Sequence, residues 1–246
     1  MAIDYLAAVR DNAAVLAATA RDGSLDAPVP SCPGWDVNRL LGHLGRVHRW
    51  ATEACRTGAE PIPDRLDRPP GDATVLGWFE EGVAPLVDAL AVLDPDAHVW
   101  NFSNGHQDGR FWPRRMAIET AIHRWDGQDA HGREAVTAID PELASDGFDE
   151  LLDVHVGLRL AGRDGIDIGG SVHFHCTDTE GEWTVRTDDG LARVTRGHTK
   201  GDVAVRGPAS TLLLMQWRRI PPDDPSLEIF GDREIFDRWL ALPVPQ

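Results

Sequence analysis

Glu119 and His123 stand one helical turn apart in the stretch ETAIHRWDG, a spacing that puts a carboxylate and an imidazole on the same helix face. On a helical wheel, Phe111, Ile118, Ile122 and Trp125 share one arc, with Trp112 and Met116 further round, and Glu119 and His123 fall between the two apolar groups. Arg114, Ala117, Ala121, Arg124 and Gln128 form the outer arc. A carboxylate left unpaired in such a position would cost several kcal/mol, so the pattern demands a partner. An earlier helical stretch offers a further imidazole. There Leu40, Leu44, Val47 and Ala51 make the apolar stripe, bordered by His43 and Trp50 on one side and by Leu41 and His48 on the other. Two arrangements satisfy this set. One is an internal hydrogen-bonded cluster. The other is a divalent metal held by two imidazoles and a carboxylate, which suits catalytic zinc and equally the facial triad of mononuclear iron; spacing does not choose between them.

The elements that must carry these residues follow from caps and periodicity. A first helix is expected over Asp4–Arg21, ending at Asp22-Gly23. A second starts at Asp36 as cap, with Trp35 and Leu40 placed as a hydrophobic staple, and runs to about Cys55. A third spans Asp72–Leu93, with a kink or break near Pro85. A turn-rich loop, with Asn104-Gly105 and Asp108-Gly109, leads to a fourth helix over Trp112–Ala130. A fifth begins with Asp140 as cap and Pro141 at its first position, and ends at Gly162. Beyond it the period becomes alternating. SVHFHCTD, EWTVRTDD and LARVTRG read as an antiparallel meander. DVAVRG is a further strand, followed by a helix in PASTLLLMQWRR, then LEIFG and a last short helix in DREIFDRWLAL.

Composition bounds the function. The chain has 246 residues, 42% hydrophobic and 26% charged, with a formal net charge of −16. Nucleic acid and anionic membrane surfaces would be approached against like charge, so a small-molecule partner is favoured. The first residues lack the unbroken apolar run of a signal peptide, and a cytoplasmic location is expected. Cys32, Cys55 and Cys176 are odd in number and widely spaced, which fits neither a disulfide framework nor a cysteine zinc site.

SCPGWDVNRLLGHL and RRMAIETAIHRWDG, in that order, resemble the two signatures of the mycothiol-dependent maleylpyruvate isomerase-like family. GDVAVRGPASTLLLMQWRR and LEIFGDREIFDRWL are similar to its C-terminal segment. The resemblance implies an α+β fold: a DinB-like four-helix bundle over 1–135, a connecting helix over 136–165, and a small α/β, sterol-carrier-like domain over 166–246. It implies zinc held by His43, Glu119 and His123, with another divalent ion as the alternative, and mycothiol or a similar small thiol as cofactor. Many relatives carry a histidine where this chain has Ile118, which weakens transfer of the family's named substrate.

In such isomerases the thiol adds to a cis double bond beside a carbonyl, the single bond rotates, and the thiol leaves. A cation is needed for substrate carboxylates or the developing enolate. By the resemblance Arg219 is that catalytic and cofactor-binding residue, with Arg218 as second choice; cations at a helix C-terminus also satisfy its carbonyls. The implied activity is isomerase or thiol S-transferase, against a thiol-independent zinc hydrolase or a non-catalytic metal or ligand sensor. Other candidates carry less. His48 reads as a buried, hydrogen-bonded histidine, and Asp126 as a partner of Arg124 or Arg133 or an orienter of His123. Trp35, Trp50, Trp112 and Trp125 read mainly as core. His173 and His175 share a strand face without a carboxylate or third histidine at suitable spacing, and Cys32 has no informative histidine beside it.

Overall fold

The computed structural model describes residues 3–103, 105–156, 167–188 and 191–242. The chain divides into two compact units, one comprising 1–102 and 106–137, the other 103–105 and 138–246.

Four long helices make the first unit: α1 (Tyr5–Asp22), α2 (Val37–Thr57), α3 (Val75–Ala91) and α4 (Phe111–Asp129). Their starts are written in side chains. Asp4 accepts from the Ala7 amide, and Asp36 from that of Arg39 at 2.8 Å, each satisfying a donor the helix cannot. Gly58 closes α2 in the left-handed conformation, its amide returning to the Ala54 carbonyl at 2.8 Å. α1 packs on α3 and α4, and α2 on α3 and α4. Leu16, Leu40, Leu41, Leu44 and Phe79 are fully buried between them, each contributing about 1.5–3 kcal/mol by leaving water. Two glycines set close approaches. A Cβ on Gly45 would lie 2.5 Å from the Trp78 ring, and one on Gly127 2.3 Å from Leu16 Cδ1.

Two expectations are corrected here. Pro85 sits inside a continuous α3, so of the expected kink or break the break does not occur. Its missing donor removes one backbone bond, and the buried face of Phe79, Leu86 and Leu90 holds the helix across it. The outer arc of α4 does not exist as a solvated face: Ala117, Ala121, Arg124 and Gln128 are all buried. Arg124 is tolerated because its guanidinium donates to Asn12 Oδ1 at 3.1 Å, Gln128 Oε1 at 2.7 Å and Thr137 Oγ1 at 2.8 Å, and burial brings its pKa down to about 10, still charged at neutral pH.

The second unit opens with α5 (Pro141–Glu150), capped by Asp140, and a π-helical turn over Leu151–Val156. The expected end of this helix near Gly162 lies outside the described residues. Five strands follow in the order β3-β2-β1-β4-β5: β1 (Ser171–Cys176), β2 (Glu182–Asp188), β3 (Leu191–Arg196), β4 (Val203–Gly207) and β5 (Glu228–Gly231). β1 to β3 form the expected meander; β4 runs parallel to β1 and β5 antiparallel to β4. Helix α6 (Ala209–Gln216) joins β4 to β5, and α7 (Arg233–Leu240) follows β5. One sheet face buries Val172, Phe174, Trp183, Val185, Val203 and Val205, with Phe174 packed against Phe148, Phe236 and Trp239. No described helix is long and apolar enough to cross a membrane.

Candidate metal centre

α2 and α4 bring His43, Glu119 and His123 together, and one donor atom from each lies within 4.8 Å of the others. His43 Nε2 is 3.5 Å and His123 Nε2 3.2 Å from Glu119 Oε1. The second carboxylate oxygen of Glu119 pairs with Arg115, one turn earlier on α4 and buried. The sequence reading missed Arg115, although its spacing of four from Glu119 is the signal that finds it.

His123 is oriented from behind. Its Nδ1 donates to Asp126 Oδ2 at 2.9 Å, and Asp126, fully buried, also accepts from the Ser31 hydroxyl at 2.6 Å. Of the two roles open to Asp126, orientation of His123 is the observed one. With the proton held at Nδ1, the lone pair of Nε2 faces the Glu119 carboxylate, acceptor towards acceptor. That is a donor set for a cation. Two imidazole nitrogens and one carboxylate oxygen match zinc or another borderline divalent ion.

The loop before α2 closes one side. Val29 and Val37 amides bond to the carbonyls of Trp35 and Ala27, which fixes Trp35 against both imidazoles, at ring-centroid distances of 4.9 Å from His43 and 6.4 Å from His123. Trp35 therefore borders the site. Trp50 and Trp112 instead belong to an aromatic cluster with Trp100 and Phe102, and Trp125 is buried with Arg133 over its ring. Cys32 is half-buried, its sulfur 3.9 Å from Asp126 Oδ2. His48 is fully buried. The Thr120 hydroxyl donates to the Met116 carbonyl, so its oxygen accepts from His48 Nε2 at 3.0 Å, leaving Nδ1 without a partner. Burial, with Arg49, His123 and His43 nearby, pushes the pKa of His48 down to about 3, so it is neutral at physiological pH.

Arg218 and Arg219 follow α6 in the second unit. Arg218 adopts φ 63°, and its guanidinium donates to the carbonyls of Leu240, the last residue of α7, and Leu242, just beyond it. Arg219 Nη1 donates to the Trp217 carbonyl at 2.9 Å.

Comparison with known proteins bears on the family and the fold. Residues 6–127 match the family model described as the mycothiol maleylpyruvate isomerase N-terminal domain, and residues 142–238 match the MDMPI C-terminal domain. No curated protein sequence matches. Among solved structures, the crystal structure of the mycothiol-dependent maleylpyruvate isomerase is similar, with a TM-score of 0.56 over 92% of this chain and 91% of that one at 12% identity. A histidine-to-alanine mutant of the same enzyme gives 0.57 over the same shares. At that identity the likeness concerns the fold. Through the two family models that together span most of its length, the chain belongs to the mycothiol-dependent maleylpyruvate isomerase-like family.

Proposed function

We propose that this protein is a metal-dependent enzyme that works with mycothiol or a similar low-molecular-weight thiol, as a maleylpyruvate isomerase-like isomerase or a thiol S-transferase. The observation that carries the reading is the gathering of donor atoms of His43, Glu119 and His123 within 4.8 Å of one another. Membership of the family supports it. These three residues would hold zinc. When bound, a divalent ion with three protein ligands lowers the pKa of a thiol or water in its open position.

The chain's own residues do the rest. Asp126 keeps the proton of His123 on Nδ1, and Ser31 holds Asp126 in place. Arg115 balances the charge of Glu119. Trp35 packs against both imidazoles. Arg219 is the proposed cation for a substrate carboxylate, since its planar fork suits bidentate binding.

The test follows maleylpyruvate isomerisation by the purified full chain with and without mycothiol, beside His43→Ala and Arg219→Ala. The reading expects thiol-dependent turnover, lost in His43→Ala, and a raised KM in Arg219→Ala. Equal rates with and without thiol would remove the thiol from the account. Ester or amide hydrolysis that needs no thiol would favour a zinc hydrolase, and tight binding without turnover a sensor.

A further inference from the structure

A second cluster lies on the sheet of the C-terminal unit. β1 and β2 pair with His173 opposite Thr184 and His175 opposite Glu182. Residues two apart on a strand share a face, so His173 and His175 project to the same side as the two residues opposite them. Donor atoms of His173, His175 and Glu182 all lie within 4.8 Å of one another. His175 Nδ1 is 2.8 Å from Glu182 Oε1, while His198 Nδ1 is 2.9 Å and His173 Nε2 3.7 Å from Glu182 Oε2. His175, Glu182 and His198 line a cleft of about 300 Å³. The carboxylate and third histidine that the sequence did not offer at a motif spacing are therefore supplied by strand register and by the segment after β3.

The tautomer of His173 is set by its neighbours. The Thr184 hydroxyl donates to the Thr199 carbonyl at 3.1 Å, so its oxygen accepts from His173 Nδ1 at 3.0 Å. Neutral His173 then turns the lone pair of Nε2 towards Glu182, again acceptor towards acceptor. At 3.7 Å the pair makes no hydrogen bond, and a cation placed between the two acceptors would satisfy both. His175 and His198 can each reach Glu182 with the Nδ1–H of a neutral ring, whereas His173, buried and with Nδ1 already committed to Thr184, would have to become a buried cation to do so through Nε2. One divalent ion instead uses the lone pairs of neutral rings.

We propose that His173, His175 and Glu182, with His198 as the outermost ligand, form a second transition-metal site, for zinc, that cross-links β1, β2 and the segment after β3. Two imidazole nitrogens and one carboxylate oxygen are the mutually close donors, and His198, 2.9 Å from Glu182 Oε2, is the candidate that a side-chain rotation would bring in as the fourth ligand of a zinc site. The His198 side chain is 83% exposed and closes the site from the solvent side.

Zinc titration of the full-length chain, with folding checked by circular dichroism, tests this in a His43→Ala/His123→Ala background that removes the other candidate centre. That background is expected to bind one zinc and to gain thermal stability from it. Adding His175→Ala or Glu182→Gln is expected to weaken binding at least about tenfold, a loss of about 1.4 kcal/mol. A folded background that binds no zinc, or binds it equally after both substitutions, overturns the proposal. Should the background not fold, wild type and His175→Ala are compared directly. Loss of one zinc equivalent supports the site, and unchanged stoichiometry and affinity overturn it.

Discussion

Asp126 Oδ2 lies 2.9 Å from His123 Nδ1, three residues apart on α4, in a position with no solvent exposure. The contact decides which nitrogen of His123 is available to a ligand. Asp126→Asn keeps the volume and removes the charge that fixes this tautomer. Zinc affinity, measured against a competing chelator, is expected to fall about 10–100-fold, the usual effect of losing a partner behind a ligating histidine.

Arg115 shares Glu119 with whatever binds at the imidazoles. Replacing it by leucine leaves the carboxylate less compensated in the metal-free chain. Denaturant unfolding without metal is expected to show a loss of about 3 kcal/mol, as when one partner of a buried pair is removed. Zinc affinity is expected to rise, because a positive charge has left the site. A fall in affinity would mean that Arg115 positions Glu119 for the ion.

Much of this was legible in the sequence because short-range chemistry writes it. The caps Asp4, Asp36 and Asp140 and the alternation in β1 to β3 mark their elements directly. Wheel positions bring Glu119 and His123 to one helix face and His43 to the border of another, and the family motifs imply that the three act as one ligand set. What failed depended on tertiary packing. Arg124 looked like a surface residue because no wheel shows that Asn12 and Thr137 supply its acceptors. The parallel pairing of β4 with β1, and the placing of Glu182 beside His175, are matters of register that periodicity does not encode.

His48 makes stability depend on pH. Its folded pKa of about 3 lies below the ordinary histidine value of 6.5, so between these values the unfolded chain binds the extra proton. Stability from this residue is full above pH 6.5 and declines as the pH falls towards 3, with a slope of up to about 1.4 kcal/mol per pH unit. Urea unfolding across this range is expected to show a shallower slope for His48→Gln than for wild type.

Gly45 lets α2 approach α3. Alanine is the better helix former by about 1 kcal/mol, yet its Cβ would meet the Trp78 ring at 2.5 Å and the Phe79 backbone at 3.4 Å. Gly45→Ala is therefore expected to destabilise the chain by about 1–3 kcal/mol, the usual cost of overpacking, as read from denaturant unfolding. A more stable variant would mean that α2 and α3 separate without penalty.

The most direct test of the central claim is anomalous diffraction at the zinc edge from crystals of the full chain grown with zinc. The account predicts a peak bonded to His43 Nε2, the Glu119 carboxylate and His123 Nε2, at about 2.0–2.2 Å from each. Crystals in which those three side chains are ordered and zinc-loaded protein shows no peak between them would contradict it, whatever is found at His173, His175 and Glu182.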